Sequence, residues 1–199
     1  MSALFDRVAD LYRRGLELDE IELHEDTRIP AEALAELRPA AVLAAITERE
    51  RPGVLLLHRP SNMRAHPGQI AFPGGKLDPG ETPVEAALRE AWEELGIRTE
   101  DVRVVGSGDQ YRTGSGFDIT PVIGVIPPDI EINPNPTEVA QWFEAPLDFV
   151  LDPANQTQHW VEFEGAMHRY WGIQWQEHDI WGVTAGIIVN LSRRLRWHG

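Results

Sequence analysis

The order of apolar and polar positions divides the chain into helical and strand-like segments. Residues 1–18 alternate apolar and charged side chains at helical spacing, which predicts an amphipathic helix, and a shorter helix is expected within residues 30–37. Residues 40–47 and 54–57 are apolar runs on either side of a charged turn, and this pattern predicts a hairpin of buried strands. The sequence therefore predicts a helical leader followed by the first strands of a sheet.

The best-marked element is a helix over residues 82–95. Thr82 can cap its N-terminus, Pro83 suits the first helical position, and Glu85 completes a capping box. Gly96 lies just beyond the last helical residue, where a left-handed conformation ends many helices. The apolar positions of this helix are spaced by three or four residues and share one face, so another face is free for polar side chains.

The rest of the chain is predicted to form mainly short strands. For the tryptophan-rich segment 160–181, a place in the core is the first expectation, and a dimer interface or a part of the substrate site ranks after it. Helices interspersed among a majority of short strands favour an α+β fold or a mixed sandwich over a doubly wound parallel sheet. The predicted elements are strands over residues 102–105, 119–126, 139–143 and, as the final strand, 169–175, with helices over residues 146–151 and 181–196.

Composition narrows the classes of partner. The 199 residues favour a single domain, and a hydrophobic content of 42% is enough to build a core. Eighteen basic against 32 acidic residues give a formal charge of −14, which disfavours binding to nucleic acid or to an anionic membrane. Without cysteine there is no thiolate metal site, so a metal would be a hard cation. With no signal peptide and no apolar stretch of membrane-spanning length, the sequence predicts a cytoplasmic protein.

Two glutamates on the helix over residues 82–95 are candidate metal ligands. Glu90 and Glu94 are one turn apart, and like charges at this spacing destabilise an isolated helix by about 0.2 to 0.5 kcal/mol. One explanation is a solvated acidic face held by ion pairs, such as Arg89 with Glu93. The other is a bound Mg²⁺ or Mn²⁺, because hard cations take carboxylate and backbone oxygens as ligands.

The spacing of residues 75–97 favours the metal. The pattern consists of Gly75, five residues, Glu81, seven residues, Arg89-Glu90, two residues, Glu93-Glu94, one residue, and Gly96 followed by the aliphatic Ile97. The sequence resembles the Nudix hydrolase family in this motif, and the similar order of elements extends from about residue 38 to residue 149. The resemblance implies a Nudix fold, an α/β/α sandwich around a mixed sheet. It also implies a Nudix domain over residues 38–199, with residues 1–37 as a helical leader packed on it.

The same resemblance assigns roles to the residues of the motif. Glu90 and Glu94 would be the principal metal ligands, and the Gly75 carbonyl would add an oxygen donor. Glu93 would be a further ligand, direct or through water, with a catalytic part. The pair that orients the loop against the helix would be Glu81 and Arg89. The implied cofactor is Mg²⁺ or Mn²⁺, and the implied reaction is hydrolysis of a phosphoric anhydride in a nucleoside diphosphate linked to another group.

The segment upstream of the motif, residues 55–75, is similar to the additional motif of the coenzyme A pyrophosphatase subfamily. The matching residues are Met63-Arg64, Gly68 and Phe72-Pro73-Gly74-Gly75. Arg59, Arg64 and His66 place cationic groups just ahead of the metal-binding loop, where they could hold the 3′-phosphate of coenzyme A. Arg64 and His66 could instead anchor the turn through backbone carbonyls.

The resemblance implies a defined substrate and leaves rivals. The substrate would be coenzyme A or an acyl-CoA, cleaved to 3′,5′-ADP and 4′-phosphopantetheine or its acyl derivative. The alternatives are a Nudix pyrophosphatase for ADP-ribose or dinucleoside polyphosphates, and a non-catalytic nucleotide-binding Nudix domain. The expected partner is a small nucleotide-linked molecule, with no nucleic acid and no membrane, and a homodimer is compatible with the sequence.

Three further places resemble the subfamily. Residues 111–114, ahead of residues 117–122, could line the pocket or simply form a turn and a strand. Glu138 stands where Nudix enzymes often place a late loop carboxylate that serves as an extra ligand or as a base, although it could be a surface glutamate. His178 precedes the last helix and is expected to be a structural residue rather than a catalyst.

Overall fold

The computed structural model describes residues 2–18, 21–26, 28–29, 34, 36–61, 68–163 and 165–198. The helices are α1 (Ala3–Leu16), α2 (Pro83–Leu95), α3 (Leu147–Val150) and α4 (Val183–Leu195), with short 3₁₀ turns at Thr99–Asp101 and Pro153–Asn155. The strands are β1 (Arg38–Thr47), β2 (Gly53–His58), β3 (Ile70–Ala71), β4 (Gly74–Lys76), β5 (Arg103–Ser107), β6 (Tyr111–Thr113), β7 (Phe117–Ile126), β8 (Gln141–Pro146), β9 (Thr157–Phe163), β10 (Ala166–Trp175) and β11 (His178–Trp181).

The larger sheet is mixed. Within the described ranges its strands follow the order β3-β2-β1-β7-β5, while β4 pairs with β1, β6 with β7 and β8 with β2. β1 and β7 run parallel from Arg38 opposite Phe117 to Thr47 opposite Ile126, and the other pairs in this sheet are antiparallel. The predicted α+β class is therefore confirmed, as is the hairpin over residues 40–57.

Helices cover both faces of this sheet because successive side chains on a strand point to opposite sides. On β1, Leu43 packs in the cluster that includes the buried face of α2, whereas Ile46 packs in the cluster that includes α4. α1 packs against α4 and β5. These layers form the expected α/β/α sandwich with helices added at both ends of the sequence.

The smaller sheet, in the order β11-β10-β9, corrects two expectations. The strand that contains residues 169–175 is not the last, because β11 follows it and pairs with it. The tryptophan-rich segment is only partly core: Trp171 and Trp175 pack against the core, but Trp160 is 59% exposed and Trp181 is 45% exposed. Every residue of β9 is exposed, so this strand has no buried face for an alternating pattern to reveal.

The leader is attached to the last helix through His24. Its backbone N–H donates to Asn190 Oδ1 at 2.7 Å, and its backbone carbonyl accepts from Asn190 Nδ2 at 3.0 Å. The expected helix within residues 30–37 lies largely outside the described residues, since 30–33 and 35 are not among them. No helix in the described part of the chain combines the length and the apolar character needed to cross a bilayer.

Candidate active site

Helix α2 has the boundaries that its sequence predicts. The Thr82 hydroxyl accepts from the backbone N–H of Glu85, the Glu85 carboxylate accepts from the backbone N–H of Thr82, and Gly96 ends the helix with a φ of 70°. Ala91 is fully buried on the face that packs against the sheet. This packing fixes the rotation of α2, so Glu90 and Glu94 are presented on another face, toward the loop at β4.

Glu94 is the most unusual acid in this region. Glu94 is only 4% exposed, and its Oε2 accepts a hydrogen bond from the backbone N–H of Gly74 at 2.9 Å. Burial, together with the nearby Glu90, raises the pKa of Glu94 to about 8 against the opposing effect of the Gly74 hydrogen bond. A carboxylate removed from water in this way favours a proton or a cation as a neighbour.

Glu90 lies against the backbone of the loop. A Cβ atom on Gly75 would collide with the Glu90 carboxylate, so the glycine allows the close approach of the loop to the helix. Burial raises the pKa of Glu90 despite the Arg89 guanidinium beside it. Glu90, Glu94 and Gly75 are therefore brought together, as the motif predicts.

Glu138 reaches the same place from a distant part of the sequence. The backbone N–H of Asn135 donates to the Glu94 carbonyl at 2.9 Å, which joins this loop to the end of α2. Asn135 Nδ2 in turn donates to Glu138 Oε1 at 3.3 Å. Glu90, Glu94 and Glu138 line one cavity of about 580 Å³ together with Gly74 and Gly75.

Arg89 connects the loop to the helix. Its Nε donates to Glu81 Oε1 at 2.9 Å, and its Nη2 donates to Glu81 Oε2 and to the Lys76 carbonyl, both at 3.0 Å. Its Nη1 donates to Glu90 Oε1 at 2.9 Å and to Glu93 Oε2 at 3.3 Å. Arg89 thus restrains Glu90, while the Glu93 side chain is 46% exposed and does not line the cavity.

The residues present suit a hard divalent cation. Glu90, Glu94 and Glu138 offer carboxylate oxygens, and the Gly74-Gly75 backbone lies beside them. Among the described residues, no three acidic or imidazole side chains converge closely enough to surround an ion as they stand. The burial of Glu94, which is 4% exposed, supports a cation here, because an ionised carboxylate removed from water needs a positive charge beside it.

A basic residue shares the cavity with these acids. Arg59 lines it, and the Arg59 Nε is buried without a hydrogen-bond partner in the described structure. Arg64 and His66 lie outside the described residues, so the structure does not place them.

The other wall of the cavity contains residues that sequence reasoning missed. Arg38 Cζ lies 4.1 Å from the centre of the Phe117 ring, and both residues line the cavity. They are far apart in sequence, and only the parallel β1–β7 register brings them side by side. Of residues 111–114, which are expected either to line the pocket or to form a turn and a strand, Thr113 lines the cavity, and residues 111–113 form β6. Apolar side chains complete this wall: Val42, Ile70, Phe72, Ile119, Val183 and Ile187.

His178 links the two sheets. Its ring stacks on Phe143 at a centroid distance of 3.6 Å, and its Nδ1 lies 2.9 Å from His58 Nε2. Burial, with the neighbouring His178, lowers the pKa of His58. Neither histidine lines the cavity, so their contacts match the structural role expected for His178.

The chain is similar to known proteins in sequence. The family described as NUDIX domain matches residues 37–175. The chain is 43% identical over 159 residues to the uncharacterized Nudix hydrolase NudL of Enterobacter sp. strain 638, covering 79% of this chain and 83% of that protein. It is 39% identical over 160 residues to NudL of Photorhabdus laumondii, covering 80% and 86%. A solved Nudix hydrolase from M. smegmatis, RenU, is 28% identical with a TM-score of 0.49 over 56% of this chain and 71% of that one.

Proposed function

The chain belongs to the Nudix hydrolase family, whose members act on pyrophosphate bonds, and from that premise we propose that it hydrolyses the diphosphate bridge of coenzyme A or an acyl-CoA. The products would be 3′,5′-ADP and 4′-phosphopantetheine or its acyl derivative. The reaction adds one water: a P–O bond of the anhydride breaks, the oxygen of water bonds to the attacked phosphorus, and each product leaves with a phosphate terminus.

The metal part of the proposal rests on Glu90, Glu94 and the Gly75 carbonyl. We infer that these three groups, which line one cavity, hold Mg²⁺ or Mn²⁺, and that Glu93 is a further ligand, either directly or through water. When bound, such an ion supplies neutralisation of the phosphoryl oxygens and lowers the pKa of water. Glu93 approaches this role only by turning away from Arg89, because its carboxylate points to that guanidinium.

Two further roles, proton transfer and positioning, would fall to side chains of the protein. Glu138 lines the cavity and accepts a hydrogen bond from the neutral Asn135 amide, and within the described part of the chain it forms no ion pair, so it is our candidate to accept a proton from the attacking water. Arg89 and Glu81 would act as positioning residues. They hold the loop and Glu90 in place through hydrogen bonds, and neither of them lines the cavity.

One observation carries the substrate proposal: Arg59, whose buried Nε has no hydrogen-bond partner among the described residues, shares a cavity with three carboxylates in a protein of net charge −14. A guanidinium there suits an anionic substrate, because its donors match phosphate oxygens. We infer that Arg59, with Arg64 and His66 from the adjacent segment, binds the 3′-phosphate of coenzyme A.

The apolar part of the cavity also suits this substrate. Phe72, Ile119 and Ile187 line it beside the acids, and a pantetheine arm has a largely apolar length to cover. Phe117 under Arg38 offers an aromatic face of the kind on which a purine can stack. The cytoplasmic location stays a prediction from the sequence.

Product analysis tests the proposal directly. The purified protein is incubated with Mg²⁺ or Mn²⁺ and an equimolar panel of coenzyme A, 3′-dephospho-coenzyme A, ADP-ribose, NADH and diadenosine polyphosphates, and the products are separated by chromatography. Preferential formation of 3′,5′-ADP is the expected result. Preferential formation of AMP from ADP-ribose or a dinucleotide would reject coenzyme A while keeping Nudix chemistry, and no turnover of any substrate would favour a non-catalytic binding domain.

A further inference from the structure

The loop between β2 and β3 is closed at its base by backbone hydrogen bonds. Arg59, which follows β2, donates its N–H to the Gln69 carbonyl at 3.0 Å, and the Arg59 carbonyl accepts the N–H of Gly68 at 3.1 Å. The chain thus leaves β2 and returns to β3 at one point, beside the pair that His58 forms with Ile70. The direction in which Arg59 leaves the strand depends on how this base is held.

The placement of the Arg59 side chain depends on its backbone. Arg59 lines the cavity, and its buried Nε has no hydrogen-bond partner among the described residues. A guanidinium presents its donors in a fixed fork, so a small rotation changes which oxygens of an anion it can reach. Because no bond to Nε fixes the side chain within the described structure, the base of the loop has a large share in orienting it.

The His58 ring stands between this base and the smaller sheet. Burial, with the neighbouring His178, lowers the pKa of His58, and a hydrogen bond with the Gly68 backbone opposes that effect. His58 Nε2 lies 2.9 Å from Nδ1 of His178, which is the first residue of β11. One imidazole therefore contacts both the end of the loop and the smaller sheet.

His178 is a rigid support for that contact. Its ring stacks on Phe143 with an interplanar angle of 2°, and the residue is 4% exposed. The His178 carbonyl accepts a hydrogen bond from Gln174 Nε2 on the neighbouring strand at 3.2 Å. A side chain locked by packing in this way holds its hydrogen-bond partner within a narrow range of positions.

The contact between the two rings requires one donor and one acceptor. At 2.9 Å, one of the facing nitrogens carries the proton and the other offers its lone pair. The bond is therefore not an ion pair. An amide side chain can take the place of either ring, because it offers both a donor and an acceptor.

From these contacts we propose that His58 and His178 are positioning residues for substrate binding, which tie the base of the β2–β3 loop to the smaller sheet and so orient Arg59 in the cavity. The inference rests on the proposed function, in which Arg59 binds an anionic group of the substrate.

The link should act on substrate affinity and not on the chemical step. The acids proposed to bind the metal are held by other bonds, namely those that Arg89 makes to Glu90 and that the Gly74 N–H makes to Glu94. β3 also has an attachment of its own, because Thr184 Oγ1 donates to the Ile70 carbonyl at 2.8 Å. Loss of the histidine link should therefore leave the fold and kcat intact.

Two substitutions of His178 separate bonding from packing. His178→Phe keeps a flat ring against Phe143 and removes the nitrogen, whereas His178→Asn keeps an amide near the position of Nδ1 and removes the stacked ring. We expect His178→Phe to raise KM for coenzyme A about 5-fold, the effect of one neutral hydrogen bond, with kcat unchanged. His178→Asn should keep the wild-type KM. A role in packing alone predicts the reverse order of the two variants.

A double-mutant cycle tests whether the two histidines act through each other. His58→Phe should raise KM about as much as His178→Phe, and the double variant should raise it no further, because the same bond is lost in all three. Additive effects would overturn the proposed link. His159→Phe is the matched control in the smaller sheet, since His159 stacks on Tyr170 of β10, and it should leave KM unchanged.

Amide hydrogen exchange gives a readout that does not depend on the substrate. In His178→Phe, the N–H groups of Arg59 and Gly68 should exchange faster than in the wild type, while His178→Asn and His159→Phe keep the wild-type rate. Faster exchange with a raised KM for a substrate other than coenzyme A would keep the positioning role and reject the coenzyme A proposal. Unchanged exchange in His178→Phe, or faster exchange with an unchanged KM for the preferred substrate, would overturn the positioning role.

Discussion

The Glu94 carboxylate accepts the backbone N–H of Gly74 at 2.9 Å, and this bond joins helix α2 to the loop that it faces. The bond does not offset the loss of water around Glu94, so the pKa of this acid is raised to about 8. The same residue that the metal would need is therefore a source of instability when the site holds no cation. Stability and activity should respond to Glu94 in opposite directions.

Glu94→Gln is expected to separate the two effects. Because the pKa of Glu94 is higher in the folded than in the unfolded chain, its contribution to stability is full below about pH 4.5 and is lost as the pH rises toward 8. In EDTA, the variant should lack this decline and unfold at a temperature equal to or above that of the wild type at pH 8. With Mg²⁺, its kcat should fall by orders of magnitude.

Thermal unfolding in EDTA at pH 5.5 and 8, with turnover in Mg²⁺, checks both parts of that prediction. Glu93→Gln is the matched control for the stability measurement, because Glu93 is on the same helix with an exposed side chain. Near wild-type turnover by Glu94→Gln would remove Glu94 from the metal site.

Gly75→Ala should damage the site while leaving the fold intact. The added methyl group meets the Glu90 carboxylate, so either Glu90 or the loop must move. A displacement of about 1 Å at a reacting centre can cost about 10²-fold in rate, and we expect a loss in kcat of that order. Gly108→Ala is the control, since a methyl group there meets Leu191 and Pro121 at ordinary contact distances of 3.5 and 3.6 Å. Equal kcat in the two variants would contradict a role for the Gly75–Glu90 contact.

Local signals made helix α2 predictable from the sequence. Thr82, Glu85 and Gly96 act within one turn of the helix ends, so their effects do not depend on the rest of the fold. The spacing of Glu90 and Glu94 likewise fixes a common face of the helix once the helix exists.

Non-local pairing hid other parts of the site and of the fold. Arg38 and Phe117 meet only through the register of β1 with β7, which no short-range pattern encodes. β9 has no buried face, so the alternation that identifies half-buried strands is missing, and its Trp160 is exposed despite the general tendency of tryptophan to be buried. The apolar composition of this segment predicted burial, but β9 is exposed because it lies at the edge of its sheet.

Arg64→Ala tests recognition of the 3′-phosphate. If Arg64 pairs with that group, its loss removes a charge-assisted hydrogen bond of about 1.5 to 3 kcal/mol, equivalent to about 10- to 150-fold in kcat/KM for coenzyme A. The effect on 3′-dephospho-coenzyme A, which lacks the group, should be much smaller. Arg112→Ala, which removes an exposed arginine of β6, should change neither value. Equal losses on the two substrates would exclude the 3′-phosphate as the partner of Arg64.

Arg89→Lys should separate positioning from charge. Lysine keeps the positive charge but cannot bond Glu81, the Lys76 carbonyl and Glu90 together, as the Arg89 guanidinium does. We expect a weaker apparent affinity for Mg²⁺ and a kcat that recovers in part at high Mg²⁺, because Glu90 is then held by the ion alone. Titration of activity with Mg²⁺ measures this shift. An unchanged Mg²⁺ dependence would show that Arg89 does not position Glu90.

The attachment of the leader to α4 should depend on pH through His24. The residue is 4% exposed, its ring lies near those of Tyr111 and Trp171, and burial, with the charge of Arg169, lowers the pKa of His24 to about 4. The unfolded chain takes up this proton near pH 6.5, so the stabilisation is full above that pH and is lost as the pH falls toward 4. Between pH 7.5 and 5 the loss is about 2 kcal/mol of unfolding free energy. His24→Leu keeps the backbone bonds to Asn190 and should show a correspondingly smaller decline in urea unfolding over this range. A decline as steep as that of the wild type would mean that other groups cause the pH dependence.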